Sequence, residues 1–448
     1  MNIETKSEEI PLSVGLIKDQ SPLSAALEEM LSHMGVQYEL IDGNDGERKY
    51  PAVISSLENR REAARRRVLD EDNIIMAHDV CDLQLVYSHL SGSINHDKDP
   101  NEPVVNIEEQ KLLDSIRFSF AKNGLPFVRK SLWPENKNFC FVMTHDVDWF
   151  SYRPIHRAVY RGGTGIQRSL SLITRGLLSN KNYGWNIPEI LELEKRYGIK
   201  STFFFRTLYD SCAHLFPESV ELVKQAGCEI GLHASFNSHT SKSSMKLQLE
   251  HLHKISGQSI KGIRHHILKI RVPDTWKIEA EEGLSYDATF SYNRLFGFRA
   301  GCCYPYHPIE LDRLPIIELP TSFMDWTALH RKMRGEVFSN RLKIGLDVVS
   351  QYKGVMVVNF HNTYINRYTF DDVYSAYEDL LKRASGGNAW IATASECADW
   401  WRFREEAKLN PTFVENDSVK VDILEPPAEI CAGKNYKLRA MTYGPKSY

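Results

Sequence analysis

The stretch FCFVMTHDVD, residues 139–148, decides how this chain is read. Five successive apolar residues, Phe139 to Met143, suit a strand buried on both faces, as in a parallel sheet. The run ends in His145, Asp146 and Asp148, polar groups just beyond a strand's carboxyl end. In parallel α/β architectures the loops at that end converge on one mouth, where catalytic groups collect. Asp146 and Asp148 are two apart, so in an extended exit they point the same way. Unpaired carboxylates so placed repel; a divalent cation on one relieves this and leaves the other as a base.

From residue 139 onward the same pattern repeats, with short apolar runs at 139–144, 202–205, 229–232, 260–263, 316–319, 355–360 and 390–393. Between them lie helices expected at 187–197, stopped by Gly198, and at 217–226, 244–255 and 371–384. Strands alternating with helices predict βα units, here an α/β fold forming a distorted, incomplete (β/α)7-type barrel, with a doubly wound sheet as the alternative. Three further strand exits carry chemistry: 229–232 runs into His233, 260–263 into Arg264, His265 and His266, and 355–360 into His361. An imidazole such as that of His233 is a ligand that borderline metals such as zinc prefer. Asp148 as a helix cap and Asp146 paired with an arginine is the competing structural reading.

These residues resemble the polysaccharide deacetylases, the family-four carbohydrate esterases, over about residues 138–402. The pieces that carry the likeness are Thr144 to Asp148, Ser201 to Phe205, Glu229 to His233, Gly262 to Arg264, Gly283 to Asp287, Met324 to Trp326 and Val358 to His361, in the family's order. The resemblance implies that Asp146 is the general base toward the attacking water, that Asp148 and His233 are metal ligands, and that Arg264 keeps the base ionised. It implies that His361 is the general acid for the departing amine and that Asp325 tunes it. His145, where the family usually has an aromatic residue, is expected to pack or hydrogen-bond beside the site; His251, His253 and His265 are expected to be structural or solvated. Removal of Arg264 is expected to cost activity more than stability.

The sequence departs from the family at two points. The paired aspartates are separated by Val147, a spacing the family includes, and the position four after His233 is Asn237 rather than histidine. A neutral amide is a poor zinc ligand, and His239, six residues on, points away from His233 if the segment is helical. His266 lies two beyond Arg264 at a strand exit and shares its side, so the expected ligand set is Asp148, His233 and His266 around a divalent metal, zinc or another transition metal.

At 448 residues the chain suggests more than one domain. Residues 1–137 read as a small N-terminal α/β domain with helices at 22–33, closed by Gly35, and 107–122; residues 138–408 form the catalytic unit. Residues 409–448 read as a short β-rich appendage with strands at 419–424 and 436–440 around a Pro-Pro turn. A net charge of −3 and the lack of a long basic run argue against a nucleic-acid partner. The one basic cluster, Arg60, Arg61, Arg65, Arg66 and Arg67, reads as a solvated helix face. The start, MNIETKSEEI, has no apolar segment, and nothing reaches the ~18 apolar residues of a membrane span. A cytoplasmic protein with reduced thiols is expected, since the eight cysteines include no CxxC pair. The function expected is hydrolysis of an N-acyl, most often acetyl, group on an amino sugar in a glycan or glycan precursor. An amidase acting on a small non-sugar amide, and a silent deacetylase-like domain that binds glycans or partners, are the alternatives.

Overall fold

The computed structural model describes residues 12–41, 50–57, 73–150, 182, 184–209, 212–367, 370–414, 418–426 and 436–444. The basic cluster at 60–67, the turn-rich stretch at 42–48 and the opening decapeptide lie outside these.

The N-terminal part is a parallel sheet of β1 (Val14–Ile17), β2 (Tyr38–Leu40), β3 (Val53–Ser55) and β4 (Ile74–Met76), in the order β2-β1-β3-β4. A helix at Pro22–Met34 follows β1 and ends where Gly35, at φ 71, takes the left-handed conformation that closes its last turn. A second helix, Val104–Lys122, begins three residues earlier than its periodicity suggested. The chain then forms β5 (Phe127–Lys130) and enters the larger sheet.

That sheet comprises β6 (Phe139–Val147), β7 (Ser201–Phe205), β8 (Glu229–Ala234), β9 (Gly262–His265), β10 (Tyr286–Asp287), β11 (Ile317–Glu318), β12 (Thr321–Met324), β13 (Val355–Asn359) and β14 (Ala389–Ile391). Its order is β11-β10-β9-β8-β7-β6-β13-β12 with β14 also on β6, and every pairing is parallel. The outermost strands, β11 and β12, are separated in the chain by Leu319 and Pro320 alone. The sheet must therefore curl until its two edges meet, which is the barrel expected. It has nine strands rather than seven. The two extra ones are β10, Tyr286–Asp287, and β12, Thr321–Met324, in which Asp287, Thr321 and Ser322 leave no apolar run to announce them.

Side-chain alternation sorts each strand into an outer and an inner row. On β6, Phe139, Phe141, Met143 and Val147 join the core under the helices, whereas Cys140 and Val142 join the cluster inside the barrel. The inner cluster also takes Phe204, Tyr286, Val355 and Val357. Extending the inner rows in steps of two residues reaches Asp146 and Asp148, Arg206, His233, Arg264 and His266, and His361. Period two thus delivers every candidate residue of β6 to β9 and β13 to one cavity mouth. Gly231 and Gly262 belong to the same rows: a Cβ there would lie 2.5 Å from the Phe204 ring and 1.8 Å from the Tyr286 ring, so these bulky rings floor the site only because the glycines yield space.

The C-terminal strands pair differently from expectation. β15 (Lys408–Val414) forms an antiparallel hairpin with β16 (Ser418–Leu424), while β17 (Ala440–Tyr443) returns to pair with β5. β16 falls where a strand was expected at 419–424, whereas β17 begins only at Ala440, the last residue of the expected 436–440; the partners of both lie upstream, one of them more than 300 residues away, and local patterning carries no such information. Pro427, half of the expected turn, lies outside the described residues.

Candidate active site

Asp146 is buried at the end of the inner row of β6 and is held on both oxygens. Arg264 Nη1 donates to Oδ1 at 3.0 Å and Asn359 Nδ2 donates to Oδ2 at 2.7 Å. Arg264 is itself fixed by every arm of its guanidinium: Nε donates to the Ala288 carbonyl at 2.9 Å, Nη1 also to Thr144 Oγ1 at 2.7 Å, and Nη2 to Thr321 Oγ1 at 2.9 Å. Its plane lies over the Phe204 ring at 4.6 Å. Burial pushes the Asp146 carboxyl toward protonation, but the charges of His233, Arg264 and His361 outweigh it and hold the pKa below the ordinary carboxylate value.

Asp148, His233 and His266 offer one ligand atom each, all within 4.8 Å of one another. His233 Nδ1 faces the Arg264 carbonyl at 2.9 Å. A carbonyl only accepts, so Nδ1 donates to it, which leaves Nε2 as the ring atom turned toward Asp148 and placed to act as a ligand. That Nε2 lies 3.2 Å from Asp148 Oδ1, and both atoms are buried with no hydrogen-bond partner. A buried carboxylate oxygen and a ring nitrogen facing each other with no other partner become a ligand pair when a cation lies between them. His266 Nε2 stands 3.6 Å from the same oxygen, and desolvation lowers its pKa to about 4, so the ring is neutral and able to coordinate. Asp148 is ionised: burial raises its pKa, but the His233 imidazole beside it and the charge of His361 outweigh this and hold it well below the usual range. One carboxylate and two imidazoles suit a borderline divalent metal.

Across the mouth, His361 follows β13. Its Nδ1 lies 2.7 Å from Asp325 Oδ1, and its backbone N–H donates to Asp325 Oδ2 at 2.8 Å. Asp325, fully buried, also accepts the Trp326 N–H at 2.6 Å. Burial disfavours a charged imidazole, but the carboxylate of Asp325, with Asp148 and Asp146 beyond, raises the His361 pKa to about 9. Its Nε2 points into the mouth, 3.9 Å from Asp146 Oδ2 and 3.8 Å from Asp148 Oδ2, and is charged at neutral pH.

All seven residues singled out from the sequence, Asp146, Asp148, His233, Arg264, His266, Asp325 and His361, thus meet around one opening. Asn237 is exposed on the turn beyond β8. His239 lies against His265, ring centroids 6.2 Å apart, rather than at the donor group. His145 occupies the outer row of β6 and is bonded to the Phe360 carbonyl and to Glu194, each at 2.9 Å. His265, also outer, bonds Glu279 at 2.9 Å. Both are structural, as their parity requires. The sequence reading gave no role to Asn359, Thr144 or Thr321. Asn359 and Thr144 were detectable in principle, since each falls two residues before a candidate on an inner row; nothing local marks Thr321.

No family model matches the chain, and no curated protein is similar to it in sequence. Solved structures that resemble it include an allantoinase (17% identity, TM-score 0.45), aligned over 61% of this chain and 93% of the other. Others are a "probable polysaccharide deacetylase" of Pseudomonas aeruginosa PAO1 (17% identity, TM-score 0.44, 61% and 94% covered) and a family-four carbohydrate-esterase pseudoenzyme of Bacillus anthracis (13% identity, TM-score 0.31, 59% and 66% covered).

Proposed function

We propose that this protein is a metal-dependent amide hydrolase that removes the N-acyl group of an amino sugar in a glycan or glycan precursor. The observation that carries the reading is the placement of an ionised carboxylate, Asp146, and a protonated imidazole, His361, each within 4 Å of a three-ligand donor group. Amide hydrolysis needs those two proton carriers, one to take a proton from water and one to give it to the amine.

Asp148, His233 and His266 would hold the metal, which when bound supplies a Lewis acid for the acyl oxygen and makes a water molecule more acidic. Asp146 Oδ2 takes the proton from the attacking water, while Arg264 and Asn359 fix the carboxylate and keep it ionised beforehand. His361 Nε2 donates a proton to the nitrogen as the C–N bond breaks. Asp325 orients that ring through Nδ1 and keeps it charged at neutral pH. The Phe204 and Tyr286 floor excludes water from beneath, so these charges act in a poorly screened environment.

The test is acetate and amine release from N-acetylated glucosamine oligomers by zinc-reconstituted protein, beside a cyclic amide such as allantoin. Release from the sugar supports the reading. Turnover of the cyclic amide alone makes the protein a small-molecule amidase, and bound zinc with no turnover of either substrate makes it a binding domain.

A further inference from the structure

Four large apolar side chains stand in solvent along one side of the mouth: Trp149 (42% exposed), Leu208 (56%), Phe236 (60%) and Ile267 (55%). Val147, Phe205, Leu232 and Ile263 form one continuous hydrogen-bonded row across β6, β7, β8 and β9. The four exposed residues follow that row by two, three, four and four positions, on four neighbouring strand exits. Arg206 ties three of these exits together, its guanidinium 5.4 Å over the Trp149 ring and its Nε donating to Ser235 Oγ at 3.2 Å.

Two of the four are held in a conformation their side chains resist. Phe236 has φ 61, and Ile267 has φ 54 with ψ 25. A β-branched residue in the left-handed region is an outlier, and such strain persists where the surroundings impose it, commonly at binding sites. The Asn293 side chain fixes the Ile267 carbonyl at 2.9 Å. Isolated apolar residues on a surface require no explanation, but four on successive strand exits, two of them strained, beside a donor group do.

The polarity of the proposed reaction says what reaches this rim. The amine leaves toward His361 on β13, where Trp326 and Tyr364 are stacked 6.3 Å apart and Tyr364 lies 5.4 Å from the His361 ring. The sugar therefore lies on the β13 and β12 side. The acyl substituent, opposed to the amine across the carbonyl carbon, lies toward the exits of β7, β8 and β9, beside His233 and His266. An acetyl methyl is too small to touch residues spread over four strands, whereas an aliphatic chain of several carbons spans them.

Building on the deacylase reading above, we infer that Trp149, Leu208, Phe236 and Ile267 form a channel for the aliphatic chain of a medium- or long-chain N-acyl group, making the protein a chain-length-selective N-deacylase of acylated amino sugars. Water adds across the C–N bond, which breaks to release a fatty carboxylate and the free amine, with no change of oxidation state.

The experiment compares kcat/KM for N-octanoyl-D-glucosamine and N-acetyl-D-glucosamine, by amine release, on the zinc-reconstituted full chain. The octanoyl substrate is expected to be favoured by about 10-fold or more, since each buried methylene contributes a factor of a few. In Phe236→Asn with Ile267→Asn, chosen because asparagine tolerates the left-handed region, that ratio should fall toward one. Leu208→Ser, at an exposed position of ordinary backbone, should lower it in the same direction if the double variant does not fold. A parent ratio near or below one, or a ratio unmoved in the folded variants, overturns the channel and leaves the deacylase reading standing. If neither sugar is hydrolysed, calorimetric titration of both into Asp146→Asn decides: tighter octanoyl binding that the rim substitutions abolish upholds the channel while the hydrolase reading falls, and equal binding removes both.

Discussion

Asn359 donates its amide to the outer oxygen of Asp146 at 2.7 Å, on the side of the carboxylate opposite Arg264. The contact exists because β13 and β6 pair in register, Asn359 beside Thr144, which sets its side chain one inner-row step below the base. Exchange for aspartate replaces a donor by a second carboxylate. Asn359→Asp should therefore raise the Asp146 pKa and move the acid limb of kcat/KM upward by roughly one unit or more. Asn359→Ala, which adds no charge, should shift it less. pH–rate profiles of the two variants check this; a limb unmoved in Asn359→Asp would mean that Asp146 does not set it.

Asp146→Asn keeps the shape of the side chain and removes the proton acceptor. Turnover should fall by about 10²- to 10⁴-fold, the usual contribution of a positioned base. Bound zinc, measured by elemental analysis, should match the parent, because Asp146 lies outside the ligand group. Parallel loss of metal and activity would reassign it as a ligand.

Arg264 was expected from the sequence to matter more for activity than for stability, and its surroundings change that balance. It is fully buried and bonds Ala288, Thr144, Thr321 and Asp146 at once. Arg264→Met leaves a buried carboxylate without its counter-charge, so folding stability should drop by about 3–5 kcal/mol. Denaturant titration measures this directly. A variant as stable as the parent would show that Asp146 takes up a proton readily in the folded state.

In the proposed reaction the alkaline side of the pH profile belongs to His361. Its pKa of about 9 in the folded chain lies above the ordinary 6.5, so its pairing with Asp325 stabilises fully below about 6.5 and is lost as pH rises through about 9. The acid form needed for catalysis disappears over the same range, and a bound dication nearby would draw the limb lower. Asp325→Asn removes the main source of the elevation, so the alkaline limb should move to lower pH and the rate at pH 8 should fall more than the rate at pH 6. Equal losses at both pH values would assign Asp325 to ring orientation alone.

What the sequence disclosed follows the reach of its signals. Runs of three to five apolar residues announced β6, β7 and β13, and a run two residues off announced β9, because burial on both faces demands them. Parity then carried Asp146, His233, Arg264 and His361 to the mouth, and it separated His145 and His265 from them by one position each. Contacts that depend on closure stayed hidden. Thr321 reaches Arg264 only because β12 comes round to close the barrel, and β17 finds β5 across most of the chain. Asp325 was marked by its neighbours in the resemblance, yet its burial and its grip on His361 are products of the fold.

The third ligand is where the sequence leaves the pattern it resembles, and the structure makes the choice testable. His233 Nε2 and Asp148 Oδ1 face each other without other partners, and His266 Nε2 lies within reach of the same oxygen. His266 is the most exposed of the three, 31% for its side chain against 1% for His233, so it can be removed with little effect on packing. His266→Ala should weaken zinc binding by at least about 100-fold, since even residues that merely support a ligand contribute 10- to 100-fold. Asn237→Ala should leave affinity unchanged, its side chain being exposed beyond the turn. His239→Ala should do the same, because its ring packs on His265 instead. Chelator competition on the three variants and the parent measures all four affinities side by side. Weakening in His239→Ala with His266→Ala unaffected would require the segment after β8 to fold back over the site when metal binds, and would move the third ligand there.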